Sequence, residues 1–545
     1  MPTLRPPLQQ TRPPLLRATL GVAALLAMTA AIGALLAILH AGHPAQAHLV
    51  HSDALYLPVL FEDILRRGGS LGDWFLTPAP YFFPDFPLYL LAWLGGAGIA
   101  SQLTAFALLQ TLCLAGALQL VLRRLVPAAS LAATAALTAL FIWLGLHADD
   151  PFVRLFSSAH HYGAFLAALL LGALWLALDT DAGTKRKHQH ALAAAVAILV
   201  FLTTLSDALF LVQAVAPLAA AAWLSGRSGA LGPRSASSSA PGASPLRRIA
   251  LLLVLPALLA MLSYRFVVAH PTRYPSRLGL SRLAANAEEL GTICATLFGP
   301  RPLLAAALLC TLLAGAACAF ACLRPHRPVL AWLARPPLLI LVFATCSTLA
   351  TAAVMLLSTN VQPVPRYLIA PLSWLLVAGA ALLARLLGRH FGAAALALAL
   401  LFAGLLGHEA WRLRGAGNSA QYFYPPQIAC IDAALAAGGA SHGIAQYWDA
   451  KRLQGLSRQD LTLAQYTGDL ARMDWITSQR FYRERYDFAI LAPAEAPAFR
   501  LPLQQLTAIN GPALRTVHCG DRSVLLFGKG RLRTVPAAST SAAAR

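Results

Sequence analysis

Long runs of leucine, alanine and valine, each about 20 residues and separated by short polar stretches, fill the first three quarters of the chain. A helix of that length crosses the ~30 Å hydrocarbon core of a bilayer. Only helices and closed barrels satisfy every backbone group there, and barrel strands would alternate over segments of ~10 residues. These runs are unbroken, so the pattern predicts an all-α polytopic membrane protein. Its expected spans are 18–40, 102–122, 128–147, 162–178, 191–206, 208–224, 249–269, 303–323, 337–357, 367–388 and 391–409, about eleven in all. From about residue 410 the runs stop. Gly443–Trp448, Tyr486–Leu491 and Ser523–Phe527 read as strands between helical stretches such as Pro426–Ala437, which predicts a soluble α/β domain over 410–535 and a disordered tail over 536–545.

The composition agrees: 58% of the 545 residues are hydrophobic and 12% charged, against ~25% charged in ordinary soluble domains. A formal charge of +20 would suggest nucleic acid in a soluble protein. No basic stripe carries the interleaved aromatics of a single-strand groove, so nucleic acid is not an expected partner. The cations instead mark sidedness. With a cytosolic N-terminus over 1–17, every expected cytosolic loop is basic: Arg123 and Arg124, Lys185 to Lys187, Arg227 to Arg248, Arg324 to Arg335, Arg385 and Arg389. The opposite side holds Asp53, Glu62, Asp63, Asp73, Asp85, Asp149, Asp150, Asp207, Glu288 and Glu289. Residues 225–248 are rich in Ser, Gly and Pro and read as a flexible cytosolic linker. Pro44-Ala45-Gln46-Ala47 resembles a signal-peptidase site, but the apolar core before it exceeds the usual 7–15 residues, so the first span is expected to stay as an anchor.

The outer loop 41–101 is long for a connection. His51–Arg67 has apolar residues at helical spacing with acids opposite, which predicts a helix lying in the membrane interface, and the aromatic stretch Tyr81–Tyr89 leads into a second. Ser52-Asp53 opens the first of these, so Asp53 is either a helix cap or a reactive carboxylate. Asp149 and Asp150, with Arg154, His160, His161 and Tyr162, offer ligands for a sugar, a phosphate or a cation, or pair among themselves. Arg265, Arg273, Arg277 and Arg282 crowd an outer loop that should be poor in arginine, and lipid phosphate would account for them. Arg366 stands at the mouth of a late span, to bind phosphate or to snorkel. No zinc-site spacing is present. Cys430 and Cys519 are the two cysteines of the C-terminal region, and an oxidising compartment would let them pair.

An opening helix, an outer loop with Asp53 soon after it, the element Phe86-Pro87-Leu88-Tyr89 and a helix ending in Arg123-Arg124 together resemble the GT-C superfamily, the integral-membrane glycosyltransferases that use polyprenyl-phosphate sugars. Val364-Pro365-Arg366-Tyr367-Leu368-Ile369-Ala370-Pro371 is similar to an element opening a late span in bacterial members, and Gln446–Lys451 and Tyr486–Leu491 look like their outer domain. The resemblance implies a polyprenyl-phosphate-sugar donor, a glycan or lipid acceptor, membrane lipid as surroundings and a bacterial inner membrane with the C-terminal domain periplasmic. Asp53 becomes the expected general base. The expected substrate-binding residues are Tyr56, Asp85, Asp149, Asp150, His160, His161, Arg265, Arg273, Arg277, Arg366 and Tyr367; no metal ligand is assigned, and a divalent cation stays open. A lipid-linked-sugar transporter is the alternative, though no inverted repeat supports it; a non-catalytic assembly subunit is another.

Overall fold

The structure is a computed structural model and describes residues 14–148, 150–180, 186–227, 245–271, 277–324, 333–415, 420–493, 496 and 500–535. It is mostly helical, because the Leu/Ala runs contain no interior break and prolines stand where they cost least, in the first turns of Pro302–Cys322 and Arg335–Leu357. Among the described residues nine helices are long and apolar enough to cross a membrane. Burial sorts them. Tyr162–Asp179 and Pro127–His147 are 83% and 78% buried, whereas Leu246–Val267 and Pro302–Cys322 are 22% buried and expose Leu262 and Leu303. The first pair is central, and the second turns its leucines outward to where lipid would lie.

Nine runs stand where eleven spans were expected, for two reasons. The expected span 208–224 is a shorter apolar helix, Leu211–Gly226, which opens with a π turn at Leu211–Val215. The expected spans 367–388 and 391–409 lie within one apolar run, Pro365–Arg412. That run is broken by the turn Gly388–His390, where Gly388 has φ +50°, a conformation that favours glycine. The two halves go to different neighbours: Ile369–Leu387 packs on Arg335–Leu357, and Phe391–Arg412 on the opening helix Pro14–His40 and on Ser130–His147. Of the expected linker 225–248, residues 225–227 and 245–248 are helical, and 228–244 lie outside the described residues, as do 1–13 and the tail 536–545.

Two sheets are formed by β1 (Trp74–Leu76), β2 (His270–Pro271), β3 (His442–Ala445), β4 (Thr462–Gln465), β5 (Thr477–Ser478), β6 (Phe488–Leu491), β7 (Arg515–Cys519) and β8 (Arg522–Leu526). The larger has the order β4-β3-β6-β8-β7, with β3 parallel to β4 and β6 and the rest antiparallel. The smaller, β2-β1-β5, joins three distant stretches of chain: the first outer loop, the segment after the Leu255–Val267 helix, and the C-terminal region. Cys430 and Cys519 are bonded as a disulfide that ties the Pro426–Gly438 helix to the end of β7.

The helix expected to lie in the interface does something else. Tyr56–Arg66 is buried along Tyr56 to Phe61 and also at Asp63. Its apolar face shares one core with the C-terminal region, in which Leu55, Leu57 and Leu60 meet Leu435, Leu453 and Phe488. At ~1.5–3 kcal/mol for each large side chain removed from water, this contact is as strong a reason for the helix to sit under the C-terminal region as a membrane surface would be. Its acid is not solvated either: Asp63 Oδ2 accepts from Trp74 Nε1 at 2.9 Å, and Asp63 Oδ1 lies 3.4 Å from Arg480 Nη1.

Lys451 is sealed into the same junction. Its Nζ stands 4.9 Å from the Trp74 ring centre and 5.7 Å from that of Phe481, with no hydrogen-bond partner. Ring faces favour an ammonium, as does nearby Asp63. Desolvation opposes both and wins, pushing the amine down to about 7. The unfolded chain, with its lysine near ~10.4, then binds the proton more tightly than the fold does. The resulting penalty is complete below pH ~7 and fades as pH climbs toward the unfolded value. Lys451→Met is therefore expected to stabilise the detergent-solubilised protein by about 2–3 kcal/mol more at pH 6 than at pH 9, seen as a larger rise in Tm at pH 6. Melts showing an equal gain at both pH values would contradict this account of the lysine.

Candidate functional site

Asp53 does not cap the helix that follows it. That helix begins at Tyr56, and its N-cap is Leu55 with no side-chain cap bond. The Asp53 carboxylate instead takes two hydrogen bonds from remote parts of the chain: Arg366 Nη1 donates to Oδ2 at 3.3 Å, and the Tyr447 hydroxyl donates to Oδ1. The Asp53 side chain is 17% exposed and that of Arg366 35%. Arg366 Nε is itself buried and has no hydrogen-bond partner. Tyr447 is held by fold topology. It follows β3 directly, with Gln446 as N-cap of the Tyr447–Leu456 helix. Burial first, then the Asp53 charge, pushes its phenol well above the ordinary value and keeps it a donor.

Behind the carboxylate stands a polar layer built by the second outer loop. Asp150 holds Arg154 in a two-pronged pair, Arg154 Nη2 to Asp150 Oδ2 at 2.7 Å. Arg154 Nη1 in turn donates to His51 Nε2 and lies 3.3 Å from His160 Nε2. Burial first and Arg154 second push His51 down to about 3 and His160 well below the usual imidazole range, so both rings are neutral and accept from the arginine. His160 lies between Ala159 and His161, at φ +63° and +65°, where non-glycine residues are uncommon. His161 turns the other way. Its Nδ1 donates to Asp207 Oδ2 at 2.6 Å, and its ring sits 5.4 Å from Tyr367 and 5.7 Å from Tyr81.

His51, Asp53 and His160 bring their ligand atoms within 4.8 Å of one another, an N,N,O set that suits a zinc-like ion better than magnesium or calcium. The guanidinium of Arg154 already binds both imidazoles, and His160 Nδ1 has no partner to orient the ring as a ligand. As arranged, the two imidazoles face the Arg154 guanidinium, while the Asp53 carboxylate takes Arg366 and Tyr447.

The remaining expected residues divide. Asp85 is buried, its Oδ1 accepting from Ala159 N–H at 3.4 Å, and a Cβ at Gly163 would lie 2.0 Å from its Oδ2, so the loop closes over Gly163 only because that residue is glycine. Tyr56 donates to the Pro80 carbonyl at 3.2 Å inside the shared core, a packing position. Tyr367 lies in the turn Pro365–Leu368 beside Arg366, and its carbonyl accepts from Gln213. Arg265 and Arg277 are exposed. Among the described residues no hydrogen bond or ion pair carries either side chain to Asp53; Arg277 contributes backbone bonds to Asn360 and Thr359. Asp149 and Arg273 lie outside the described residues. Tyr447, Asp207 and His51 were not expected at the site. Tyr447 fell inside the expected strand Gly443–Trp448, whereas β3 ends at Ala445 and a helix starts at Tyr447. Asp207 sits in the short turn after the Arg186–Ser206 helix, where Ser206 holds the aromatic loop through bonds from the Tyr81 and Phe83 N–H groups.

No protein-family model, curated protein or solved structure matches the chain.

Asp85 gives this site a measurable signature. Desolvation pushes its carboxyl up to about 7, opposed by the Ala159 hydrogen bond and reinforced by Asp207. In the unfolded chain it titrates near ~3.9, so the fold holds the proton more tightly. Stability then falls as pH rises from ~4 to ~7, and the penalty is complete above that. Asp85→Asn should stabilise the protein by about 2–3 kcal/mol more at pH 8 than at pH 5, seen as a larger rise in Tm at pH 8. A gain independent of pH, or larger at pH 5, would show that the carboxyl ionises freely.

Proposed function

We propose that this chain is a membrane glycosyltransferase that moves a sugar from a polyprenyl-phosphate donor to a glycan or lipid acceptor at the outer face of a bacterial inner membrane. The observation that carries the reading is the meeting of Asp53 and Arg366, two residues chosen on separate motifs and 313 positions apart, at 3.3 Å. A carboxylate beside a guanidinium is the pair that such a transfer needs. The acceptor oxygen attacks the anomeric carbon as the bond from that carbon to the phosphate oxygen breaks. The acceptor's proton passes to Asp53, and the departing phosphate takes the electron pair, with its charge held by Arg366. Attack opposite the leaving group inverts the anomeric centre. Without a donor the two side chains neutralise each other; an arriving phosphate competes for the arginine and frees the carboxylate to act as base.

Sidedness follows the basic loops, with eleven crossings, the N-terminus cytosolic and the C-terminal region outside. The Cys430–Cys519 disulfide supports that side, since such bonds persist in oxidising compartments. The test is transfer of radiolabelled sugar from a panel of undecaprenyl-phosphate hexoses and pentoses in proteoliposomes. Asp53→Asn is expected to lower kcat by about 10²-fold or more with its Tm kept, and Arg366→Ala to weaken donor use as well as slow turnover. Full transfer by Asp53→Asn would end the proposal.

A further inference from the structure

The cluster at Asp53 is tightly packed, yet an open groove of about 840 Å³ lies close by. One wall is the Glu62 and Arg66 face of the Tyr56–Arg66 helix; the other is the end of the Tyr447–Leu456 helix and the turn after it, through Asp460. The floor is residues 97–102, where the Ile99–Leu125 span begins, so the groove opens at the membrane's edge. One helix links the two places. Tyr447 touches Asp53 and Gln454 lines the groove, and seven residues at ~1.5 Å rise separate them by about 10 Å.

The wall chemistry selects a ligand. Two of its charge pairs are closed, Arg66 on Glu62 at 3.3 Å and Arg67 on Asp460 at 2.8 Å, which leaves the Arg458 guanidinium, stacked on Tyr424, facing the groove. Gln454 has both amide atoms, Nε2 and Oε1, shut off from solvent with no hydrogen-bond partner. Such a group is costly unless something completes it. A phosphate or carboxylate would serve the NH₂ and leave the carbonyl orphaned. Hydroxyls serve both, being donors and acceptors at once, and rotation about the glutamine's own side-chain bonds turns the amide into the groove its stem already lines. Beside it the Arg458 guanidinium stacks 3.9 Å from the Tyr424 ring centre, a flat platform of the kind that sugar rings lie against.

We infer that this groove binds a neutral oligosaccharide, the acceptor, with one end directed along the Tyr447–Leu456 helix to Asp53. The inference rests on the transferase reading for the word acceptor, but not for the binding itself. The experiment is saturation-transfer NMR and native mass spectrometry on the full chain in nanodiscs, with maltohexaose, cellohexaose and chitohexaose as probes and phosphatidylglycerol as competitor. At least one hexasaccharide is expected to bind. Gln454→Leu and Arg458→Ala should each weaken it about tenfold or more. Arg458 is exposed, so its variant answers the question even if Gln454→Leu misfolds. No binding by any hexasaccharide, binding indifferent to both substitutions, or displacement by phosphatidylglycerol would each overturn the inference. Binding that depends on Gln454 without sugar transfer from any donor would keep the groove and remove the transferase.

Discussion

Everything at the candidate site depends on one apolar contact, the burial of the first outer loop against the C-terminal region. Leu55, Tyr56, Leu57 and Leu60 enter the same core as Leu435, Leu453 and Phe488, and Trp74 is closed over by Phe481 at 5.7 Å between ring centres. Polar ties then set the register. Ser52 donates to the Trp448 carbonyl, Arg67 to the Leu461 carbonyl at 2.7 Å, and β1 pairs with β5. The C-terminal region keeps a second, smaller core of its own on residues such as Ile444, Leu491 and Leu525. It is therefore half an independent domain and half a lid on the loop. Loosen the shared core, and Tyr447 leaves Asp53.

A dry junction of this kind has electrostatic consequences of both signs. Burial favours the neutral form of every ionisable group it covers, so it pushes the Asp85 carboxyl up and the Lys451 amine down toward the same neutral range. The two sit on different sides of the loop, one against Gly163 and the other between Trp74 and Phe481. His51 and His160 are held neutral by the same effect, and that neutrality is what lets them accept from Arg154. In a wetter setting the imidazoles would protonate near ~6.5 and repel the guanidinium. The arginine, anchored by Asp150, would then have no place behind Asp53.

Periodicity revealed the membrane helices because the bilayer is a uniform solvent with one demanding length, which writes itself into runs of apolar residues. The same reasoning failed on the helix at Tyr56–Arg66. An apolar face with acids opposite describes an interfacial helix and equally a helix under a protein lid, and only the partner separates the two; here Asp63 is buried along with the apolar face. That Asp53 and Arg366 share one site was expected only through the family resemblance. Nothing local in either segment records a neighbour 313 positions away, since that adjacency is produced by the packing of the whole bundle. Arg265 and Arg277 were expected for their charge on an unfavoured side, and charge alone does not say toward what a side chain folds. Tyr447 was hidden for a different reason: its hydroxyl gains meaning from the strand order, which the run of residues does not state.

That strand order explains how the C-terminal region presents Tyr447 to Asp53. From β3 the chain crosses through the Tyr447–Leu456 helix to β4 on one side, and later returns as β6 on the other. A crevice opens at the carboxyl ends of strands where the direction of winding reverses, and the helix that starts there points its first residues into it. Tyr447 is the first residue of that helix, and the outer loop inserts Ser52 and Asp53 against it. In open α/β sheets this crevice is where a ligand ordinarily sits; in this chain a loop of the same polypeptide occupies it and brings its carboxylate along. The membrane domain then supplies Arg366 from the other direction, so Asp53 is gripped between a sheet and a bundle. A carboxylate positioned from both sides is held far more closely than any loop could hold it alone, which is the condition a general base has to meet.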